Sequence, residues 1–114
     1  MTLIPLENDQ LNISKRFRKT DYFALIQDKK ISIEKNLYKV SKSNEFFEYF
    51  KTLNIQKLYL KNLGYKTFLR LDKLGIKVYL IENTTLSQTI NENTLIPINQ
   101  ENANKLCTLG HNKQ

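Results

Sequence analysis

The spacing of apolar and polar positions changes period several times along the chain. "TLIPLE", residues 2–7, is a short apolar run ending in the turn formers "NDQ", and it predicts a first strand. Pro5 has no backbone donor for a ladder, which points to an edge position or a bulge. "YFALIQD", residues 22–28, predicts a second strand. "ISIEKNL", residues 31–37, predicts a third, with Ile31, Ile33 and Lys35 on one side. The turn "DKK" between them makes the pair an antiparallel hairpin. From residue 41 the period becomes helical. In "SKSNEFFEYFKTLN" the positions Phe46, Phe47, Phe50 and Leu53 fall on one face, and Ser41 or Ser43 is placed to cap the start. "KLYL", residues 57–60, predicts a fourth strand. "GYKTFLRLDKLG" predicts a second helix with Phe68, Leu71 and Leu74 inward, stopped by Gly75. "IKVYLIE", residues 76–82, predicts a fifth strand. Thr85 and Gln88 then match a capping box for a third helix that runs to about Asn93.

Strand–helix–strand units imply parallel neighbours joined by right-handed crossovers. The expected fold is a three-layer α/β domain with a mixed five-stranded sheet and about three helices. Residues 1–95 form that domain. Residues 96–114 are a polar, Asn-rich tail, either a fraying helix or a disordered end. No internal repeat or low-complexity block stands out.

At 114 residues one domain is expected, and 40% hydrophobic content with six Phe and six Tyr is ordinary for a packed core. Eighteen Lys plus Arg against eleven Asp plus Glu give a net charge of +7, which favours anionic partners. No stretch approaches the roughly 20 apolar residues of a membrane span. The first residues, "MTLIPLENDQ", lack the features of a secretory leader. Cys107 stands alone, so no internal disulfide forms and a reducing cytoplasm is the expected setting.

Little suggests catalysis. The single histidine is His111. There is no phosphate-binding glycine loop, no nucleophile elbow and no H-E-x-x-H, so the expectation is a protein that is not an enzyme. The concentrated chemistry is "SKRFRKTDYF", residues 14–23, where Lys15, Arg16, Arg18 and Lys19 surround Phe17. In an extended segment Arg16 and Arg18 lie on one side and Phe17 on the other. The ring would anchor the loop, and the two guanidiniums would face outward, where their forks suit a multi-oxygen anion. The bland alternative is a loop whose cations simply face water. Gly64 opens the second helix, where a close backbone approach and the helix N-terminus favour an anion, and Lys61 adds to the same field. Cys107 and His111 are four apart, so on a helix they would share a face and offer two soft metal ligands. A closed metal site needs more than two. Nucleic acid is a less favoured partner, because no RNP-like strand, KH loop or helix-turn-helix is visible.

The order of these pieces resembles the dinitrogenase iron–molybdenum cofactor biosynthesis family, the NifX-type and NifB C-terminal domain group. The matching stretches are "LIPLEND", "ISKRFRKTDYFALIQD", "NLGYKTFLRLDKLGIKVYLIE" and "TLSQTINEN", which together cover most of residues 2–95. Ser14, Phe17, Tyr22, Phe23, Gly64 and Gly75 fall on the family pattern. Arg16 stands where the family often has a histidine and Arg18 where it has glycine, while Lys19 keeps a basic residue. The resemblance implies a ribonuclease H-like fold. It also implies a role in binding or carrying an iron–sulfur or iron–molybdenum cluster, with cofactor-assembly proteins as partners and a monomer or homodimer as the working form. On that reading Arg16, Phe17, Arg18, Lys19, Lys61 and Gly64 form the cluster or anion site, and Cys107 and His111 add metal ligands. Two alternatives stand beside it: an adaptor for nucleic acid or an acidic protein that uses the same loop, and a structural partner with no cluster.

Overall fold

The computed structural model describes residues 1–91 and 95–107. The strands are β1 (Thr2–Leu6), β2 (Tyr22–Gln27), β3 (Lys30–Lys35), β4 (Lys57–Leu60), β5 (Lys77–Ile81) and β6 (Leu95–Ile98). The helices are α1 (Ser43–Lys51), α2 (Tyr65–Lys73), α3 (Leu86–Asn91) and α4 (Ala103–Leu106). One open sheet has the order β3-β2-β1-β4-β5-β6. β1, β4 and β5 run parallel, while the β1–β2, β2–β3 and β5–β6 pairs are antiparallel. The expected five strands are therefore six, and the helices among the described residues are four.

Side chains alternate across the sheet as strand geometry requires. Leu3, Phe23, Leu25, Leu58, Leu60 and Val78 face one side, where they meet Phe46, Phe47 and Phe50 of α1, Phe68 and Leu71 of α2 and Ala103 of α4. All six phenylalanines of the chain are buried on this side. Ile4, Leu6, Ala24 and Ile81 face the other side, together with Ile13 and with Leu86 of α3. That second layer is thin. β3 is exposed along its whole length, with Ile31 and Ile33 partly bare.

Three local expectations are corrected. Pro5 sits in a central strand, not at an edge, because the β1–β4 ladder covers only Thr2 and Leu3. Beyond it the Ser14 amide donates to the Pro5 carbonyl at 2.9 Å, so a loop takes the place of a ladder partner. Neither Ser41 nor Ser43 caps α1. Lys42 is the cap residue and makes no side-chain cap bond; the Ser41 hydroxyl donates to the Tyr38 carbonyl at 2.7 Å, and the Ser43 hydroxyl accepts from Arg70 at 3.2 Å. The sixth strand, Leu95–Ile98, lies almost wholly in the segment expected to be a tail. It occupies the sheet edge, where Pro97 is tolerated. Ile98, Ala103 and Cys107 then carry the segment into the main core.

Other local signals hold. The Gln88 amide donates to Thr85 Oγ1 at 3.3 Å, and Gln88 Oε1 accepts from the amides of Thr84 and Thr85 at 3.0 and 3.3 Å, so α3 begins with its capping box. Gly75 ends α2 at φ +76°, a left-handed conformation that costs a side-chain-bearing residue energy.

Candidate functional site

Because β1 and β3 both run the same way, the loops after them leave from one end of the sheet. The loop after β1 is stitched in place along its length. The Ile13 amide donates to the Thr84 carbonyl at 2.8 Å, and the Thr20 hydroxyl donates to the Leu6 carbonyl at 2.6 Å. Near its start, backbone amides of Asn12 and Leu11 donate to Asp9 and hold that carboxyl below its ordinary value.

Phe17 is the deepest residue of the loop. It is fully buried, with ring centroids 5.3, 6.4 and 5.4 Å from Phe46, Phe47 and Phe50. Its neighbours are thereby turned outward: Arg16 is exposed and Arg18 half-buried. The Arg16 amide donates to Ser14 Oγ at 3.0 Å, which tightens the turn before the ring.

The loop after β3 forms the opposite wall. Asn36 is buried, and its Nδ2 donates to the carbonyls of Arg18 and Thr20 at 2.9 Å each. Its Oδ1 accepts from the Tyr38 amide at 3.0 Å. One amide side chain thus ties both loops together. Arg18 Nη1 adds a second tie, donating to the Ser41 carbonyl at 3.1 Å. Between the walls lies a cleft of about 520 Å³ lined by five cations, Arg16, Arg18, Lys19, Lys39 and Lys42, with Val40, Ser41 and Ser43 completing it. No carboxylate is among these lining residues. Asp21 pairs with Lys39 at one margin. Among the described residues, Arg16, Lys19 and Lys42 make no ion pair.

The start of α1 points to the same place, since Lys42 and Ser43 open the helix and also line the cleft. The helix N-terminus adds a partial positive charge to the five formal ones. Arg70 of α2 braces it: Nη1 and Nη2 donate to Ser43 Oγ and Asn44 Oδ1 at 3.2 and 2.9 Å, and the guanidinium lies 4.3 Å over the Phe47 ring.

The sequence-derived candidates divide as follows. Arg16, Arg18 and Lys19 come together in the cleft, with Phe17 beneath them. Lys61 and Gly64 belong to the loop after β4, at the same end of the sheet, but they do not line the cleft. Gly64 is the cap residue of α2 at φ −75°, a conformation open to any residue. Cys107 is buried in the main core, where desolvation pushes its thiol above the ordinary value. His111 lies outside the described residues. Among the described residues no group of three or more His, Cys, Asp and Glu is placed to hold a metal ion. Sequence reasoning missed Lys39, Lys42 and Asn36. The lysines carried no signal until the β3–α1 loop was folded against the β1–β2 loop.

No family model matches the chain, and no curated protein matches it significantly. Solved structures do. A candidate NifB protein from Thermotoga, of the DUF35 family and solved by NMR, superposes with a TM-score of 0.66 at 20% identity, over 84% of this chain and 90% of its own. A candidate dinitrogenase from Methanocaldococcus jannaschii gives 0.62 at 20% identity, over 85% and 92%. The apo form of the orange protein from Desulfovibrio gigas gives 0.65 at 18% identity, over 86% and 95%. At these identities the chain shares their fold: a mixed α/β domain with one open sheet.

Proposed function

We propose that this chain is a non-enzymatic binding domain of the dinitrogenase iron–molybdenum cofactor biosynthesis type. Its cargo is an anionic iron–sulfur or iron–molybdenum cluster, or a precursor of one, held in the cationic cleft. The observation that carries the reading is the cleft itself, with five cations on two tethered walls and no carboxylate lining it. Fields from cations gathered on a concave surface add, and an anion entering it meets them together. Two of the fold neighbours named above are described in nitrogenase terms and another as an apo form, which supports the same reading. The order 3-2-1-4-5 within the sheet supports a ribonuclease H-like assignment.

The mode of holding follows from the side chains. The cleft offers guanidinium and ammonium donors and backbone amides at the start of α1, but no thiolate, imidazole or carboxylate. A cluster would therefore arrive with its metal coordination complete and be bound through charge-assisted hydrogen bonds to its outer atoms. Cys107 would have to leave the core to act as a ligand. Cofactor-assembly proteins in the cytoplasm would be the donors and acceptors of such cargo.

The test is anaerobic incubation with a preformed, thiolate-ligated iron–sulfur cluster or with isolated cofactor, followed by gel filtration and a visible spectrum. Wild type is expected to retain absorbance that Arg16→Ala with Lys19→Ala loses. A colourless wild-type protein after the column rules the cargo out.

A further inference from the structure

The outer wall of the cleft holds apolar side chains out in water. Val40, which lines the cleft, is 94% exposed, and Leu37 in the same turn is 73% exposed. Single exposed aliphatics are normal on a surface. Two in one turn beside a cleft are a patch. The turn is also firmly held. The Tyr38 ring stacks on Tyr49 at 4.6 Å, the Tyr38 amide is bound by Asn36, and Ser41 is held by Arg18. An apolar tip already fixed in one geometry loses little entropy when a partner covers it.

We propose that this turn and the cleft behind it form a docking surface for an acidic polypeptide segment that carries apolar side chains. Carboxylates of the segment meet Arg16, Lys19 and Lys42, and its apolar residues cover Leu37 and Val40. Charge complementarity selects an anionic occupant, since the lining holds five cations and no carboxylate. A single-stranded nucleic acid needs aromatic platforms for its bases. No lining residue is aromatic, and the Tyr38 ring is already stacked. An anionic bilayer is flat and is gripped by long amphipathic faces with Trp, Phe and Leu. This surface is concave, and its tip is one Leu and one Val. The docking surface goes beyond the cargo reading and stands without it, because Leu37 and Val40 offer nothing to a bare anion.

The experiment uses the full chain and a fluorescent synthetic peptide of alternating Glu and Leu. Binding is expected, and it weakens as NaCl rises from about 50 to about 500 mM. Leu37→Ser with Val40→Ser is expected to raise Kd about tenfold, with the melting temperature unchanged and with uptake of the preformed cluster equal to wild type. A peptide with Ser in place of Leu should lose a similar factor. The proposal is overturned by any of four results. These are no binding of the Glu/Leu peptide, unchanged binding by the double variant, equal binding of the Ser peptide, an oligothymidylate or phosphatidylserine vesicles, or loss of preformed-cluster uptake by the double variant, which would assign the tip to the cargo.

Discussion

Two cationic regions lie at opposite ends of the sheet and differ in what holds them. At one end, Lys57 and Lys77 open β4 and β5 as direct neighbours in the parallel ladder. Both are exposed side chains at strand starts, and among the described residues neither makes an ion pair. At the other end, residues 16–19 are as rich in charge but are built onto a buried ring and a buried amide. Phe17 fixes the backbone from below, and Asn36 fixes it from the side. Both sets of backbones are fixed by the core, but the lysine pair is two side chains on an open strand end, while the cleft gathers five cations on facing walls. The lesson is that a count of charges says little about binding until it is known whether the fold aims them at one space.

Phe17→Ala should break the comparison most severely. Removing a fully buried phenylalanine ring costs about 3–5 kcal/mol. Urea unfolding should show that loss, and the surviving folded protein should bind tripolyphosphate no better at this end than at the other. A midpoint near wild type would contradict the anchoring role. Asn36→Ala comes next. It removes the Nδ2 that donates to the carbonyls of Arg18 and Thr20 and should cost about 1–3 kcal/mol in the same assay. Third, Arg16→Ala with Lys19→Ala should weaken tripolyphosphate binding roughly tenfold by calorimetry, while Lys57→Ala with Lys77→Ala leaves it within about twofold. Equal losses in the two double variants would erase the distinction between the ends.

The smallest effect concerns the core. Burial raises the Cys107 thiol above its ordinary 9.0, so the folded chain keeps that proton longer than the unfolded chain. The stability this supplies is complete below about pH 9 and is lost as pH rises through the folded value. Urea midpoints at about pH 8 and about pH 10 should therefore fall further for wild type than for Cys107→Ala. Parallel declines would remove the link.

The first five strands, α1, α2 and the capped start of α3 were legible because each has a local period or a local stop signal. β6 carries an equally local signal. "TLIPI" at residues 94–98 repeats "TLIPL" at residues 2–6 almost letter for letter, so the run that predicts β1 predicts β6 as well. The polar context of the tail obscured it. Half of the cleft was readable. The alternation around Phe17 correctly foretold a buried ring with cations turned outward. Lys39, Lys42 and Asn36 were not readable, since their role depends on β3 lying parallel to β1 two strands away. Gly64 lies apart from the cleft lining. A glycine before a helix looks like a backbone contact for an anion, yet here it caps α2 in an ordinary extended conformation.

The bare edge at β3 has one more implication. An unpaired strand invites copies of itself. A second molecule aligning there antiparallel, with Ser32 opposite Ile33, would set each Lys30 against the other's Lys35. Repulsion at both ends of so short a ribbon guards its open hydrogen-bonding side and discourages the chain from stacking into fibres.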